Sequence, residues 1–260
     1  MEGFTQTTFH YQGQQWPVFR AGTGPGVLVI HEIPGITPQV AAFAQRVAQA
    51  GFSVMLPSLF GTPGKPFSNG YMAAQVIRAC ISREFHVLAR HHASPITETL
   101  RAMARALHEE TGTAVGAVGM CLTGNFALTL MIDPFLMAPV LSQPSLPFGI
   151  SASHRAALHI SPEHLGIAKA RGCPVLGLRF SHDMACPKAR FDALRSAFGA
   201  RFEAIEIDSS PGNPHGIPRM AHSVLTKDLV DKDGHPTQAA LQRVIGFLHE
   251  QLHSGQGAHA

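Results

Sequence analysis

Short apolar runs alternate with amphipathic segments along most of the chain. The runs are rich in Val, Leu and Ile and are bounded by Gly or Pro, which is typical of buried strands. The segments between them carry apolar residues at helical spacing. The predicted strands are 26–31, 52–56, the run that begins at 115, 138–141, 174–180 and 202–207. The predicted helices are 38–50, 96–111, 125–131, 162–171, 187–198 and 237–252. This alternation predicts an α/β fold with a mostly parallel central sheet and helices on both faces.

The two ends of the chain differ from this pattern. Residues 7–20 alternate polar and apolar positions around Gly13, which predicts a short antiparallel hairpin within an N-terminal segment 1–25. Residues 254–260 are small and polar and predict a frayed tail. No linker, repeat or low-complexity segment divides the rest, so we expect a single domain over 1–260.

Composition limits the classes of function. Apolar residues make up 45% of the 260 residues and charged residues only 14%, which is enough apolar material for a large core. The formal net charge is +3 and its basic residues are scattered, so no nucleic-acid partner is expected. The sequence shows no secretion signal at 1–6 and no apolar run of membrane-spanning length, which predicts a cytoplasmic enzyme with free thiols and no membrane partner. The 16 histidines and four cysteines form no metal-binding motif, and we expect neither a metal nor an organic cofactor.

The most informative motif is Val-Gly-Ala-Val-Gly-Met-Cys-Leu-Thr-Gly at 115–124. An apolar strand leads into Gly119-Met120-Cys121-Leu122-Thr123-Gly124, and a helix-like segment follows. A nucleophile on a tight strand–turn–helix needs close backbone contacts on both flanks, which glycine permits. The helix N-terminus would also favour a thiolate and a developing oxyanion. A buried structural cysteine is the alternative interpretation of Cys121.

Other reactive side chains follow the remaining predicted strands. Because active residues of parallel α/β folds lie at the carboxyl ends of strands, Glu32, Asp183 and a histidine of the loop after 202–207 are candidates. Asp183 alternatively caps the next helix. His215, which sits in a Pro-Gly turn, and His222 are the two histidines that compete for this role. The order nucleophile, acid, histidine is that of α/β-hydrolases.

These residues resemble the dienelactone hydrolase family of α/β-hydrolases over about 26–250. The matching pieces are Gly-x-Cys-x-x-Gly at 119–124, His-Glu-Ile-x-Gly at 31–35, Asp183 before a helix, and the Ala-His-Ser sequence at 221–223. The resemblance implies that Cys121 attacks an acyl carbon and that His222 moves its proton.

The same resemblance implies supporting roles. Asp183 would orient His222, and Glu32 would lie beside the nucleophile and modulate its protonation. The backbone N–H groups of Leu122 and Ile33 would form the oxyanion hole, where each donor contributes roughly 10²–10³-fold in rate.

A cysteine nucleophile favours a particular substrate class. Its thioester forms readily from activated esters and lactones, whereas an amine leaving group returns unless it is protonated. The predicted substrate is therefore a small ester or lactone. Family members that take an anionic lactone have an arginine where this chain has Thr226, so anionic specificity stays open.

The substrate pocket is predicted from the loosely patterned region 61–95 and from the loop that follows the strand at 138–141. Arg78 and Arg83 are candidate cations, although both could equally lie on a helix surface. Phe148 is a candidate apolar contact, and neighbouring loop residues suggest a partly hydrophobic pocket; they are Phe67, Met72, Leu146 and Pro147.

Two other classes of function remain open from the sequence. The chain could be a non-catalytic protein that binds or senses a small molecule on a hydrolase scaffold. It could also be a redox protein in which peroxide oxidises Cys121 and Cys186 resolves it. The sequence predicts no oligomeric state.

Overall fold

The computed structural model describes residues 1–81, 95–145, 155–158 and 160–253, with only the backbone described at 78–81. Its sheet has eight strands in the order β1-β2-β4-β3-β5-β6-β7-β8. The strands are β1 (Thr5–Tyr11), β2 (Gln14–Ala21), β3 (Gly26–Ile30), β4 (Ser53–Pro57), β5 (Val115–Met120), β6 (Leu136–Ser142), β7 (Val175–Phe180) and β8 (Phe202–Ile207). β1 and β2 form the predicted hairpin, and β2 pairs antiparallel with β4. The pairs from β4 to β8 are parallel, which confirms the predicted mostly parallel sheet.

Helices follow the strands, and those other than the helix at 69–81 lie near the predicted places. They are α1 (Pro38–Gln49), α2 (Asn69–Ile81), α3 (Pro95–Thr111), α4 (Gly124–Thr129), α5 (Pro162–Ala170), α6 (Lys188–Phe198) and α7 (Pro236–His253). Thr37 caps α1 by accepting a hydrogen bond from the N–H of Val40 at 3.3 Å, which satisfies one of the free donors of the first turn. Ser161 caps α5 in the same way.

Each face of the sheet is covered by its own apolar cluster. Side chains of α1 and α7 pack on one face against alternate residues of the parallel strands, including Val29 and Val118. Side chains of α3, α4 and α6 pack on the other face against the residues between them, including Leu28 and Ala117. The two clusters use opposite faces because successive strand residues point to opposite sides. The predicted cover of helices on both faces is confirmed.

The helix after Cys121 is shorter than the sequence pattern predicts. The expected helix over 125–131 is wrong in its extent, because α4 has six residues and lies between two short 3₁₀ turns, Cys121–Thr123 and Leu130–Ile132. Pro134 explains the second boundary. A residue before proline is forced out of helical backbone, and Asp133 is extended with ψ 131°.

Two sequence-based expectations stay untested. The tail at 254–260 lies outside the described residues. The single domain over 1–260 stays a prediction, although the one described sheet is consistent with it. Among the described helices, none combines the length and the apolar character that a membrane crossing requires.

Candidate active site

The carboxyl ends of the parallel strands bring the predicted catalytic side chains together. Cys121 follows β5, Asp183 follows β7, and His222 lies in the loop between β8 and α7. The Nδ1 of His222 is 2.7 Å from the Oδ2 of Asp183. His222 also interacts electrostatically with the side chain of Cys121. The three side chains therefore stand in the order that a nucleophile, a base and an orienting carboxylate require.

The turn that carries Cys121 has strained backbone geometry. Cys121 has φ 56°, a left-handed conformation that side chains other than glycine rarely adopt. A Cβ at Gly119 would lie 2.5 Å from the carbonyl oxygen of Thr123, and a Cβ at Gly124 would lie 2.8 Å from the Cα of Pro144. Glycine is therefore required on both sides, as the motif predicts. The Thr123 hydroxyl closes the turn by donating to the carbonyl of Ile30 at 3.0 Å.

Asp183 is held by its loop and does not cap the following helix. Its Oδ1 accepts hydrogen bonds from the N–H groups of Ala185 at 2.9 Å and Cys186 at 3.2 Å. Helix α6 has Pro187 at its N-cap instead. The buried Arg179 fixes the loop from inside by donating to the carbonyls of Ser181 and Cys186. The loop leaves Oδ2 of Asp183 free for His222.

His222 is anchored through its backbone as well as its ring. Its N–H and that of Ser223 donate to the Oδ2 of Asp228 at 2.8 and 2.9 Å. Burial alone would lower the pKa of His222, but the charge of Cys121 and the hydrogen bond with Asp183 raise the pKa well above 6.5. The imidazole is therefore adapted to carry a proton next to the sulfur.

Glu32 lies beneath the His222 loop. It accepts hydrogen bonds from Ser223 at 2.8 Å, from the Nε2 of Gln143 at 3.2 Å, and from the hydroxyl of Thr226. Burial raises its pKa, and the hydroxyl donors oppose this rise only in part. Within the described residues the hydrogen bonds of its carboxylate all go to these three partners and none to Cys121. A role in modulating the protonation of Cys121 stays a prediction, and the observed contacts are those of a loop anchor.

The predicted oxyanion donors lie beside the nucleophile. The side chains of Ile33 and Leu122 form a small apolar cluster that includes Cys121. Leu122 is in the first turn after β5, where backbone N–H groups have no partner from a preceding turn. Both residues therefore pack beside Cys121, and their function as donors to an oxyanion is a proposal.

His31 is a site residue that the sequence analysis did not interpret. Its Nε2 accepts the N–H of Leu59 at 3.0 Å, so its Nδ1 carries the hydrogen donated to the carbonyl of Glu32 at 3.0 Å. Burial lowers the pKa of His31 to about 4. This neutral histidine joins the end of β3 to the loop at Leu59, and the arrangement needs a ring with one donor and one acceptor. The sequence signal that could have identified His31 was its position next to Glu32 in the His-Glu-Ile motif.

A narrow cleft of about 60 Å³ opens beside His222 and Glu32. Phe67 and Met72 line it, as the sequence analysis predicts for an apolar pocket. Lys227 also lines it, with its Nζ 5.3 Å from the centre of the Phe67 ring. Its other lining residues are Ile33, Pro34, Thr37, Gln39 and Ser223.

The other predicted substrate contacts are not described by the structure. The side chain of Arg78 lies outside the described atoms, and Arg83, Leu146, Pro147 and Phe148 lie outside the described residues. Their role in substrate binding stays a prediction. Thr226 is described, and it is buried with its hydroxyl directed to Glu32 rather than to the cleft.

The competing candidates have other environments. His215 is exposed, and its N–H donates to the side-chain oxygen of Asn213 at 3.2 Å within a turn. Cys173 and Cys186 are buried free thiols, and burial raises the pKa of both. Among the residues described, no group of three or more His, Cys, Asp or Glu side chains is arranged to hold a metal ion.

Comparison with known proteins shows the family and the fold of the chain. The model of the dienelactone hydrolase family matches residues 17–252. In a search of curated proteins, none matches the chain. A Klebsiella pneumoniae protein provisionally assigned as a dienelactone hydrolase is 20% identical with a TM-score of 0.64, covering 95% of this chain and 98% of the other.

Two further solved structures have the same fold. A dienelactone hydrolase from Anabaena variabilis is 13% identical with a TM-score of 0.60, over 96% of this chain and 100% of the other. A dienelactone hydrolase-like promiscuous phosphotriesterase from metagenomic libraries is 16% identical with a TM-score of 0.61, over 96% and 98%. At these identities the structural similarity shows the fold alone.

Proposed function

The chain belongs to the dienelactone hydrolase family, and from that membership we propose that it hydrolyses an ester or lactone through a thioester on Cys121. The family supports an enzyme that acts on esters. The observation that carries the finer proposal is the contact of His222 with Asp183 and its interaction with Cys121 at the carboxyl edge of the sheet, with the cysteine on a strained turn.

In the first half of the reaction, the thiolate of Cys121 attacks the acyl carbon. The carbonyl oxygen becomes an oxyanion, which accepts hydrogen bonds from the N–H groups of Leu122 and Ile33 in this proposal. The C–O bond then breaks, and the imidazolium of His222 gives its proton to the leaving oxygen. For a lactone this opens the ring, and the alcohol stays on the acyl group.

In the second half, neutral His222 takes a proton from water, and the resulting hydroxide attacks the thioester. The second tetrahedral intermediate expels the Cys121 thiolate and releases the carboxylic acid. Asp183 holds the hydrogen on Nδ1 of His222, so that Nε2 faces the reaction, and it stabilises the imidazolium in both halves.

The chemistry favours oxygen leaving groups. Attack by a thiolate gives an intermediate in which sulfur is itself a good leaving group, so an amine is expelled only if it is protonated first. An enolate, an aryloxide or an activated alkoxide departs without that help. We therefore infer activated esters and lactones as the substrate class, with apolar contacts from Phe67 and Met72.

The other two functions receive less support. A resolving cysteine needs access and a thiolate, but Cys186 is buried and its pKa is raised by burial and by Asp183. A binding protein needs no linked acid, base and nucleophile, so the contact between Asp183 and His222 favours an enzyme.

The test combines chemical labelling with turnover. We expect iodoacetamide to label Cys121 faster than Cys173 or Cys186, shown by peptide mapping across pH, and labelling to abolish hydrolysis of 4-nitrophenyl acetate and of an aryl lactone. Cys121→Ala should lose this turnover, while Cys173→Ala serves as the control for removal of a thiol. An aryl phosphotriester belongs in the same screen because a structural neighbour is named for that activity.

Two results would overturn the proposal. Undiminished turnover by Cys121→Ala would assign the chemistry to another group. An unreactive Cys121 with no turnover, together with thermal stabilisation by the same esters, would indicate the binding function.

A further inference from the structure

A serine hydroxyl contacts the sulfur of Cys121. The Oγ of Ser145 lies 3.1 Å from the Sγ of Cys121. Ser145 is only 3% exposed, so its hydroxyl is shielded from bulk water. Ser145 follows β6 in a Pro/Ser-rich loop, and nothing in the sequence motif at 119–124 points to it.

The backbone of Ser145 is fixed to the same turn. Its N–H donates to the carbonyl of Cys121 at 2.9 Å, and its carbonyl accepts from the Nδ2 of Asn125 at 3.3 Å. Cys121 itself and Asn125, in the helix that follows it, thus hold Ser145 by its main chain. The hydroxyl is directed at the sulfur by this attachment rather than by a mobile side chain.

The residue before Ser145 is held from the opposite side. The carbonyl of Pro144 accepts a hydrogen bond from the Nη1 of the buried Arg190 at 2.9 Å. Pro144 also packs where a Cβ of Gly124 would stand. Pro144 and Ser145 are therefore fixed between helix α6 and the turn at 119–124. The position of the Ser145 hydroxyl follows from that packing.

The chemistry of the pair decides which atom donates. A thiolate has no hydrogen and can only accept, whereas a hydroxyl can donate. Hydrogen bonds to an ionised acceptor are stronger than neutral ones, and a buried hydroxyl requires a partner. We propose that Ser145 donates its hydroxyl hydrogen to the Cys121 thiolate, so that the sulfur is stabilised by a neutral donor in addition to His222. This inference rests on the proposed function in taking Cys121 as the nucleophile.

The charged surroundings of the sulfur leave a role for such a donor. Several elements contribute titratable or charged groups, and these are Glu32 after β3, Asp183 and Cys186 after β7, Arg190 on α6, and His222 and Asp228 after β8. His222 brings positive charge to the sulfur only while it is protonated. A hydroxyl stabilises the thiolate whether or not His222 is protonated.

The same hydrogen bond acts twice in the cycle. It stabilises the resting thiolate before attack, and it weakens when the sulfur becomes a neutral thioester. When the second tetrahedral intermediate collapses, the sulfur regains its negative charge and the bond forms again. Ser145 keeps its proton throughout, so no atom is transferred to or from it.

The test measures the apparent pKa of Cys121 in Ser145→Ala. We follow the rate of Cys121 alkylation by iodoacetamide against pH, together with the ultraviolet absorbance of the thiolate. Loss of one hydrogen bond to a charged acceptor is expected to raise the apparent pKa by about one unit, which slows alkylation roughly tenfold below the pKa. The rates of Ser145→Ala and wild type should converge at high pH, because both sulfurs are then ionised.

Controls separate this effect from a general structural one. Ser145→Thr keeps the hydroxyl and should restore most of the wild-type profile. Ser53→Ala removes a buried serine at the start of β4 and should leave the Cys121 profile unchanged. Thermal unfolding establishes that each variant is folded. A folded Ser145→Ala with an unchanged Cys121 pKa, or with an equal loss of rate at every pH, would overturn the inference.

Alkylation needs no ester substrate, so the two proposals fail separately. If Cys121→Ala keeps its turnover, the proposed function fails even when Ser145→Ala shifts the thiol pKa. If Cys121→Ala is inactive and the thiol pKa of Ser145→Ala is unchanged, only the role of Ser145 is wrong.

Discussion

At the residue scale, Asp183 divides its two carboxylate oxygens between two tasks. One oxygen accepts from the loop that carries it, and the other accepts from His222. A carboxylate can do both because all of its lone pairs accept hydrogen bonds. An amide at this position has one acceptor only and must either release the loop or present N–H to the ring.

Asp183→Asn should therefore disable the base while preserving the fold. We expect kcat/KM for an aryl ester to fall about 10³–10⁴-fold, because His222 takes the wrong tautomer and its imidazolium loses its partner. Steady-state kinetics across pH measure this loss. Asp192→Asn is the control, since Asp192 pairs with Lys188 on the exposed face of α6 and this variant should stay within about twofold of wild type. A loss of less than tenfold in Asp183→Asn would contradict the assigned role.

At the scale of elements, the turn between β5 and α4 depends on two glycines whose space is already occupied. Gly124→Ala would place a Cβ against the backbone of Pro144, and Pro144 is fixed by Arg190. We expect a loss of about 1–3 kcal/mol in the free energy of unfolding, together with slower alkylation of Cys121.

Gly166→Ala is the matched control for this substitution. Gly166 lies in α5, and a Cβ there meets nothing within 4 Å. This change should stabilise the protein by about 0.5–1 kcal/mol. Urea unfolding of both variants measures the contrast, and a stable, fully reactive Gly124→Ala would show that the turn tolerates a side chain.

The elements differ in how far the sequence predicted them. The strands were predictable because their apolar runs are bounded by Gly and Pro. The turn at 119–124 was predictable because a nucleophile on a tight turn needs glycine on both flanks. Ser145 and Gln143 were not predicted, because their roles come from contacts with residues distant in sequence. The short α4 was also missed, since its apolar residues are equally compatible with a longer helix until Pro134 is considered.

At the scale of the whole molecule, burial of His31 links stability to pH. The pKa of His31 is lowered from 6.5 to about 4 by burial. The unfolded chain therefore binds a proton that the folded chain excludes between these values. The contribution of His31 to the free energy of unfolding is complete above pH 6.5. It is lost as the pH falls, and the loss reaches about 3 kcal/mol at pH 4. His222 has a raised pKa, so its contribution is instead lost as the pH rises above 6.5.

The prediction is a reduced acid sensitivity in His31→Asn. Asparagine supplies a donor and an acceptor but does not titrate, so this variant should lose about 3 kcal/mol less than wild type between pH 7 and pH 4. Urea unfolding at a series of pH values gives the difference. His10→Asn, at an exposed position on β1, should follow the wild-type curve. Parallel curves for His31→Asn and wild type would show that the ring is protonated normally in the folded protein.

The hydrogen bonds from Ser223 and Thr226 to Glu32 join residues 191 and 194 positions apart. Contacts between residues this far apart in sequence form late in folding, because contacts between nearer residues have a smaller entropic cost. During synthesis on the ribosome, Cys121 emerges long before the loop that carries His222. The nascent chain thus holds a cysteine without this imidazole, and we expect the full reactivity of the thiol only after the loop that carries His222 has docked.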